Sequence, residues 1–134
     1  MRALLLIFIA SVTLFANTIQ VDLRKKRVYL LNDKHIVVST FKCLGGTRKH
    51  PTPKGTFKIL QKNKDHRSNK YPKRAIKAGR PGAHMRNFVR ITWTGVGFHS
   101  GSIARRSHGC IHLRFKDSKK LFKFSNFNTK VIIK

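Results

Sequence analysis

Ile19-Gln20-Val21-Asp22-Leu23 alternates apolar and polar side chains, the two-residue period of a half-buried strand. Arg27-Val28-Tyr29-Leu30-Leu31 continues the pattern after a short charged break. Asn32-Asp33-Lys34 is a turn signal, and residues 35–44 are again β-rich, so the opening of the chain reads as a hairpin closed by Gly45-Gly46. Pro51 and Pro53 bracket a rigid turn, and Gly55 to Leu60 starts a third strand. Residues 61–86 have weak periodicity and many cations, and read as a long basic loop with one turn of helix near Arg74 to Ala78. Asn87 to Trp93, Val96 to His99 and Cys110 to Phe115 read as short strands. Asp117 is placed to cap a short helix that turns Leu121, Phe122 and Phe124 inward. Thr129 to Ile133 is a final β-branched strand. No repeat and no second domain is visible. The expected class is mainly β, with one or two short helices.

The N-terminus departs from this pattern. Arg2 precedes an uncharged run from Ala3 to Ala16, too short to span a bilayer comfortably. We expect a secretory signal peptide over residues 1–16, cleaved after Ala16, and one domain over 17–134. The competing readings are a retained anchor or a buried helix. No Cys follows the apolar run, which argues against a lipoprotein anchor.

Composition narrows the chemistry. The 134 residues include 30 Lys+Arg against 4 acids, for a formal charge of +26. The acids are Asp22, Asp33, Asp65 and Asp117, and there is no Glu. A glycosidase needs two carboxylates flanking one bond, and no two of these Asp are close in sequence. An HExxH metallopeptidase needs its Glu. Chemistry must therefore come from Cys, His, Ser, Lys or the backbone. In an exported protein such a charge selects anionic partners: peptidoglycan stem-peptide carboxylates, anionic lipid head groups or extracellular nucleic acid. It also serves simple solubility. Apolar residues make up 40% of the chain, enough for a core.

The densest functional signal is Gly97-Phe98-His99-Ser100-Gly101 followed by Ser107-His108-Gly109-Cys110-Ile111-His112-Leu113. A thiol attacks as thiolate, so Cys110 needs a neighbouring His or exposed amides to lower its pKa. Gly109 lets the backbone turn sharply, and successive N–H groups in such a turn suit an oxyanion. His99 arrives from a preceding strand and is the candidate base. With so few carboxylates, the carbonyl of Ser100 is the better candidate to hold its tautomer. A rival reading is zinc, held by His108, Cys110 and His112 on one strand face with His99 as fourth ligand; wide spacing and the lack of carboxylates weigh against it. Two cysteines in an oxidising compartment first suggest a disulfide, but a Cys43–Cys110 bond would block the nucleophile. Cys43 reads as a buried small hydrophobe.

Ser107-His108-Gly109-Cys110-Ile111 preceded by His99 resembles the signature of the L,D-transpeptidase (YkuD-type) catalytic domain. Val21-Asp22-Leu23 with Arg27-Val28-Tyr29-Leu30 is similar to that family's opening hairpin, and His50 to Phe57 to its TPxGTF segment. Met85 to Trp93, Gly95 to His99 and Thr129 to Ile133 follow in collinear order. The resemblance implies a β-sandwich-like catalytic domain acting on peptidoglycan stem peptides, without a cofactor or metal and with no role for nucleic acid or stable membrane insertion. It implies Cys110 as nucleophile attacking the carbonyl of the third stem residue, commonly meso-diaminopimelate, with D-alanine expelled. His99 would move protons, the Ser100 carbonyl would orient it, and amides around His108, Gly109 and Cys110 would form the oxyanion hole. Ser107, His112 and Arg114 would contact substrate. The place of work would be the periplasm or cell wall. The chain departs from the family at His112, where relatives commonly carry Arg, and at Arg105-Arg106, where close relatives have a Pro/Gly-rich turn. The rivals are an L,D-carboxypeptidase, in which water resolves the same acyl-enzyme, and a non-catalytic basic wall-binding module.

N-terminal sequencing of the exported protein is expected to begin at Asn17. A chain from an envelope fraction that begins at Met1 contradicts this and favours the anchor.

Overall fold

The structure, a computed structural model, describes residues 16–134. The expected signal peptide therefore lies outside the described residues, apart from Ala16. The strands are β1 Thr18–Asp22, β2 Arg27–Leu31, β3 Val37–Lys42, β4 Gly55–Lys58, β5 Gln61–Arg67, β6 His84–Arg90, β7 Gly97–Ser100, β8 Ile111–Leu113 and β9 Lys130–Ile133. The helices are α1 Lys73–Lys77, between β5 and β6, and α2 Phe115–Phe124, between β8 and β9.

The strands form two sheets, ordered β3-β2-β1-β9-β4 and β5-β6-β7-β8. In the first, the sequence alternation does its expected work. Ile19 and Val21 of β1, Val28 and Leu30 of β2, and Val131 and Ile133 of β9 all point into the interior. Lys130–Ile133 returns parallel to β1 and antiparallel to β4, so the first and last strands of the described residues share one sheet. The second sheet contributes Val89, Phe98, Ile111 and Leu113 to the same apolar cluster, joined by Leu121 of α2. One core thus lies between the two sheets, and the mainly β expectation with two short helices holds.

Three details differ from the sequence reading. Residues 61–67 are a strand rather than loop, paired antiparallel with β6 from Gln61↔Arg90 to Arg67↔His84. The strand Gln-Lys-Asn-Lys-Asp-His-Arg lies at a sheet edge with no buried residue, so backbone pairing alone defines it and no apolar period announces it. Asp117 does not cap α2. The cap position is Arg114, without a side-chain cap bond, and Asp117 sits inside the first turn, where its charge complements the helix N-terminus. The strand expected over Cys110 to Phe115 is shorter, because Phe115 already opens the helix.

Asn87 ties the second sheet to α2. It has φ 56°, a left-handed conformation that Asn tolerates better than most residues. It stands opposite Lys64, between the paired positions Asn63↔Phe88 and Asp65↔Arg86 of an otherwise continuous register. The buried amide donates to Ser118 Oγ at 3.1 Å. That contact seats α2 against β6 and β7.

Phe98 is fully buried in β7, beside His99. Phe98→Ala is expected to cost about 3–5 kcal/mol by loss of burial and cavity formation, read as a lowered denaturant midpoint.

Candidate active site

The turn carrying Cys110 is held from several sides. Gly109 has φ +129°, a conformation that L side chains rarely adopt. Ser107 Oγ accepts the Gly109 N–H at 3.0 Å and donates to the Cys110 carbonyl. Thr52, buried, donates through Oγ1 to the Gly109 carbonyl at 2.7 Å and accepts the Gly46 N–H at 2.9 Å. Gly46 must remain glycine: a Cβ there would lie 1.8 Å from the His50 carbonyl and 3.0 Å from Gly109 Cα. The segment after β3 runs alongside, with an antiparallel bridge Leu44↔His112 and a parallel bridge Gly46↔Ser107.

The parallel register of β7 and β8 sets His99 opposite His112, next to the turn. His99 Nδ1 lies 2.8 Å from the Ser100 carbonyl. A carbonyl only accepts, so Nδ1 carries the proton and Nε2 keeps its lone pair. Burial, reinforced by neighbouring His112 and opposed by the Ser100 hydrogen bond, pulls the His99 pKa down to about 4. The imidazole is therefore neutral at pH 7. His112 repeats the device: its Nδ1 lies 2.8 Å from the Ser102 carbonyl. The two rings stand edge to face with centroids 4.7 Å apart. Burial pulls His112 below its ordinary value too, against the pull of the Ser102 and Arg105 backbone.

Cys110 is half-buried, and its thiol donates to the Gly95 carbonyl at 3.5 Å rather than to His99. The sequence reading called for a lowered thiol pKa. The structure reverses this: burial pushes the thiol up, and the Gly97 backbone hydrogen bond and the Arg90 charge only partly offset it. The cleft thus holds a protonated thiol and a neutral imidazole. Cys110, His99, His112, Ser107 and His108 line one cleft of about 520 Å³. No carboxylate lines it; its cations are Lys70 and Arg90.

Other expected site residues are placed differently. Ser107 is buried, and its hydroxyl is committed to the turn, so it scaffolds the site instead of offering a substrate contact. The Gly109 N–H is taken by Ser107, which removes it from an oxyanion hole in this geometry. The His108 ring stacks on Tyr71 at 4.1 Å, with His50 at 5.0 Å, and forms a wall of the cleft. Arg114 is exposed at the start of α2 and lies off the cleft, because the chain turns into the helix there. Among the described residues, no group of three or more His, Cys, Asp or Glu is arranged to hold a metal ion. Cys43 and Cys110 are both free thiols. Cys43 lies in the core with its pKa pushed up to about 12 by burial.

Sequence reasoning missed Thr52, Tyr71, Arg90 and Trp93. The first lay within the matched TPxGTF segment and could have been found there. Tyr71 lies in the basic stretch, whereas Arg90 and Trp93 lie within the matched stretch from Met85 to Trp93.

The L,D-transpeptidase catalytic domain (YkuD) family model matches residues 16–133. The chain belongs to this family. Among solved structures it is similar to the L,D-transpeptidase of Stackebrandtia nassauensis, with 24% identity, a TM-score of 0.76 and coverage of 89% of this chain and 55% of that one. It is similar to the Enterococcus faecium L,D-transpeptidase, with 25% identity, a TM-score of 0.73 and coverage of 89% and 50%. A third, the Ldtfm–avibactam carbamoyl enzyme, has 26% identity, a TM-score of 0.72 and coverage of 88% and 48%. The chain thus spans about half the length of these solved proteins. No curated protein matches it.

Thr52→Val keeps the shape of the side chain but leaves the Gly46 N–H and the Gly109 carbonyl without their partner. The expected loss is about 1–3 kcal/mol of stability, measured by chemical denaturation, together with slower modification of Cys110 in the folded protein.

Proposed function

We propose that this chain is an exported cysteine L,D-transpeptidase that forms an acyl-enzyme on a peptidoglycan stem peptide and transfers it to an amine. The observation that carries the reading is the hydrogen bond from His99 Nδ1 to the Ser100 carbonyl. It leaves a neutral Nε2 acceptor in the same cleft as a half-buried thiol, and does so without a carboxylate.

In the proposed reaction the thiol turns from Gly95 toward His99, which takes its proton as sulfur attacks the stem carbonyl. The S–C bond forms, and the amides of His108 and Cys110 receive the oxyanion. Collapse breaks the C–N bond, and the imidazolium gives its proton to the departing D-alanine amine. An acceptor amine then attacks the thioester, His99 takes its proton, and the thiol is released. The Ser100 carbonyl stabilises the transient imidazolium by accepting from Nδ1. The reaction belongs to the periplasm or cell wall, reached through the leader expected over residues 1–16.

Two outcomes are expected. A carbapenem or avibactam, whose carbonyl can trap such a sulfur, adds once to the wild-type protein by intact mass. The adduct is absent in Cys110→Ala and strongly slowed in His99→Ala, both still folded by circular dichroism. An adduct that persists in Cys110→Ala, or forms at the wild-type rate in His99→Ala, overturns the assignment. The pH dependence follows from the depressed His99 pKa. The base is lost as pH falls through about 4, so the acid limb of acylation lies near that value rather than near the ordinary histidine value of about 6.5.

A further inference from the structure

Arg90 ends β6 at the cleft that holds Cys110. It is half-buried, and its guanidinium is fixed from two sides. Nε donates to Gln61 Oε1 at 2.8 Å, and the group lies 5.2 Å from the Phe88 ring centroid. A Cβ built on Gly95, whose carbonyl accepts the Cys110 thiol, would meet Arg90 Nη1 at 3.7 Å. No hydrogen bond among the described residues occupies either Nη group. Nor does a carboxylate neutralise the charge: the ion pair among the described residues is His84 with Asp65, at 3.5 Å. The charge is felt at the sulfur, where it helps draw the thiol pKa down. Lys70, the other cation of the cleft, is differently engaged, its Nζ donating to the Thr94 carbonyl at 2.8 Å.

We infer that Arg90 binds a carboxylate of the acyl donor beside the carbonyl that Cys110 attacks. This rests on the proposed acyl transfer for the identity of the donor, though not for the anion site itself. The pre-positioned planar group with free Nη donors suits a bidentate carboxylate. With Nε held by Gln61, little side-chain freedom is left to lose on binding. The ligand class is a peptide or other acyl donor with a free carboxylate close to its reacting carbonyl; an amidated donor is discriminated against.

The test compares alkylation of Cys110 by iodoacetate and iodoacetamide, reagents alike in size and leaving group and different in charge, at about 0.15 M salt to screen distant charges. The ratio of the two rates cancels any change in thiol pKa or general accessibility. Arg90→Met is expected to lower the iodoacetate-to-iodoacetamide ratio by about tenfold, Arg90→Lys to keep much of it, and Lys70→Met to leave it near the wild-type value. A ratio unchanged in Arg90→Met, or lowered in Lys70→Met instead, overturns the inference. In case Arg90→Met does not fold, the wild-type protein supplies a second measurement. Acetate is expected to protect Cys110 from iodoacetamide in a saturable way while acetamide does not, and absence of that difference also overturns it. Neither readout requires acyl transfer. A failure of carbapenem acylation therefore counts against the proposed function, and a flat alkylation ratio counts against the anion site.

Discussion

A chain with 30 cationic side chains and 4 carboxylates has to place most of its side-chain donors on something other than an acid. In this fold that partner is the backbone carbonyl. Lys62 Nζ donates to the Ser125 carbonyl at 2.7 Å, Lys70 to that of Thr94, and Arg67 to that of Gly82. The same substitution runs through the cleft, where His99, His112 and the Cys110 thiol are held by the carbonyls of Ser100, Ser102 and Gly95. A carboxylate behind a histidine would favour its charged form. A carbonyl orients the ring with a weaker pull, so burial prevails and His99 stays neutral. The neutral state of His99 follows from its burial with only a carbonyl behind the ring.

The position of the site follows from the sheets. β7 and β8 run parallel, which puts His99 and His112 side by side and requires a long connection between the strands. That connection carries Ser102, whose carbonyl holds His112, and ends in the Ser107–Cys110 turn. The turn would have little to fix it without the segment between β3 and β4. Gly46 allows the close approach, and Thr52 closes it with a hydroxyl used as both donor and acceptor. Residues distant in sequence thus converge on one backbone turn, and Thr52 reaches Gly109 across 57 positions.

The legibility of the fold tracks the source of each element's stability. The strands β1, β2 and β9 bury alternate side chains in the core, so their period is written in the sequence. β5 is held by hydrogen bonds to β6 and buries nothing, so its residues read as loop. The site divides in a similar way. The pairing of His99 with the Ser100 carbonyl was readable because it is local to one short motif. Ser107, His112 and Arg114 were expected to contact substrate by resemblance alone; the first two line the cleft and Arg114 does not. Ser107 is consumed by the turn, His112 is turned toward Ser102 and His99, and Arg114 leaves with the helix. The thiol pKa was misjudged because burial of the sulfur depends on how the sheets pack, and no spacing encodes that.

Trp93 is the single tryptophan of the chain. It lies at the cleft that holds Cys110 and His99, with 78% of its surface open to solvent. The intrinsic indole fluorescence of this protein therefore comes from the mouth of the cleft, uncontaminated by any buried reporter. A molecule seated there would exclude water from the indole face and shift the emission toward the blue, while filling of a distant surface would leave the spectrum unchanged. The molecule carries its own optical gauge of cleft occupancy, independent of whether sulfur reacts.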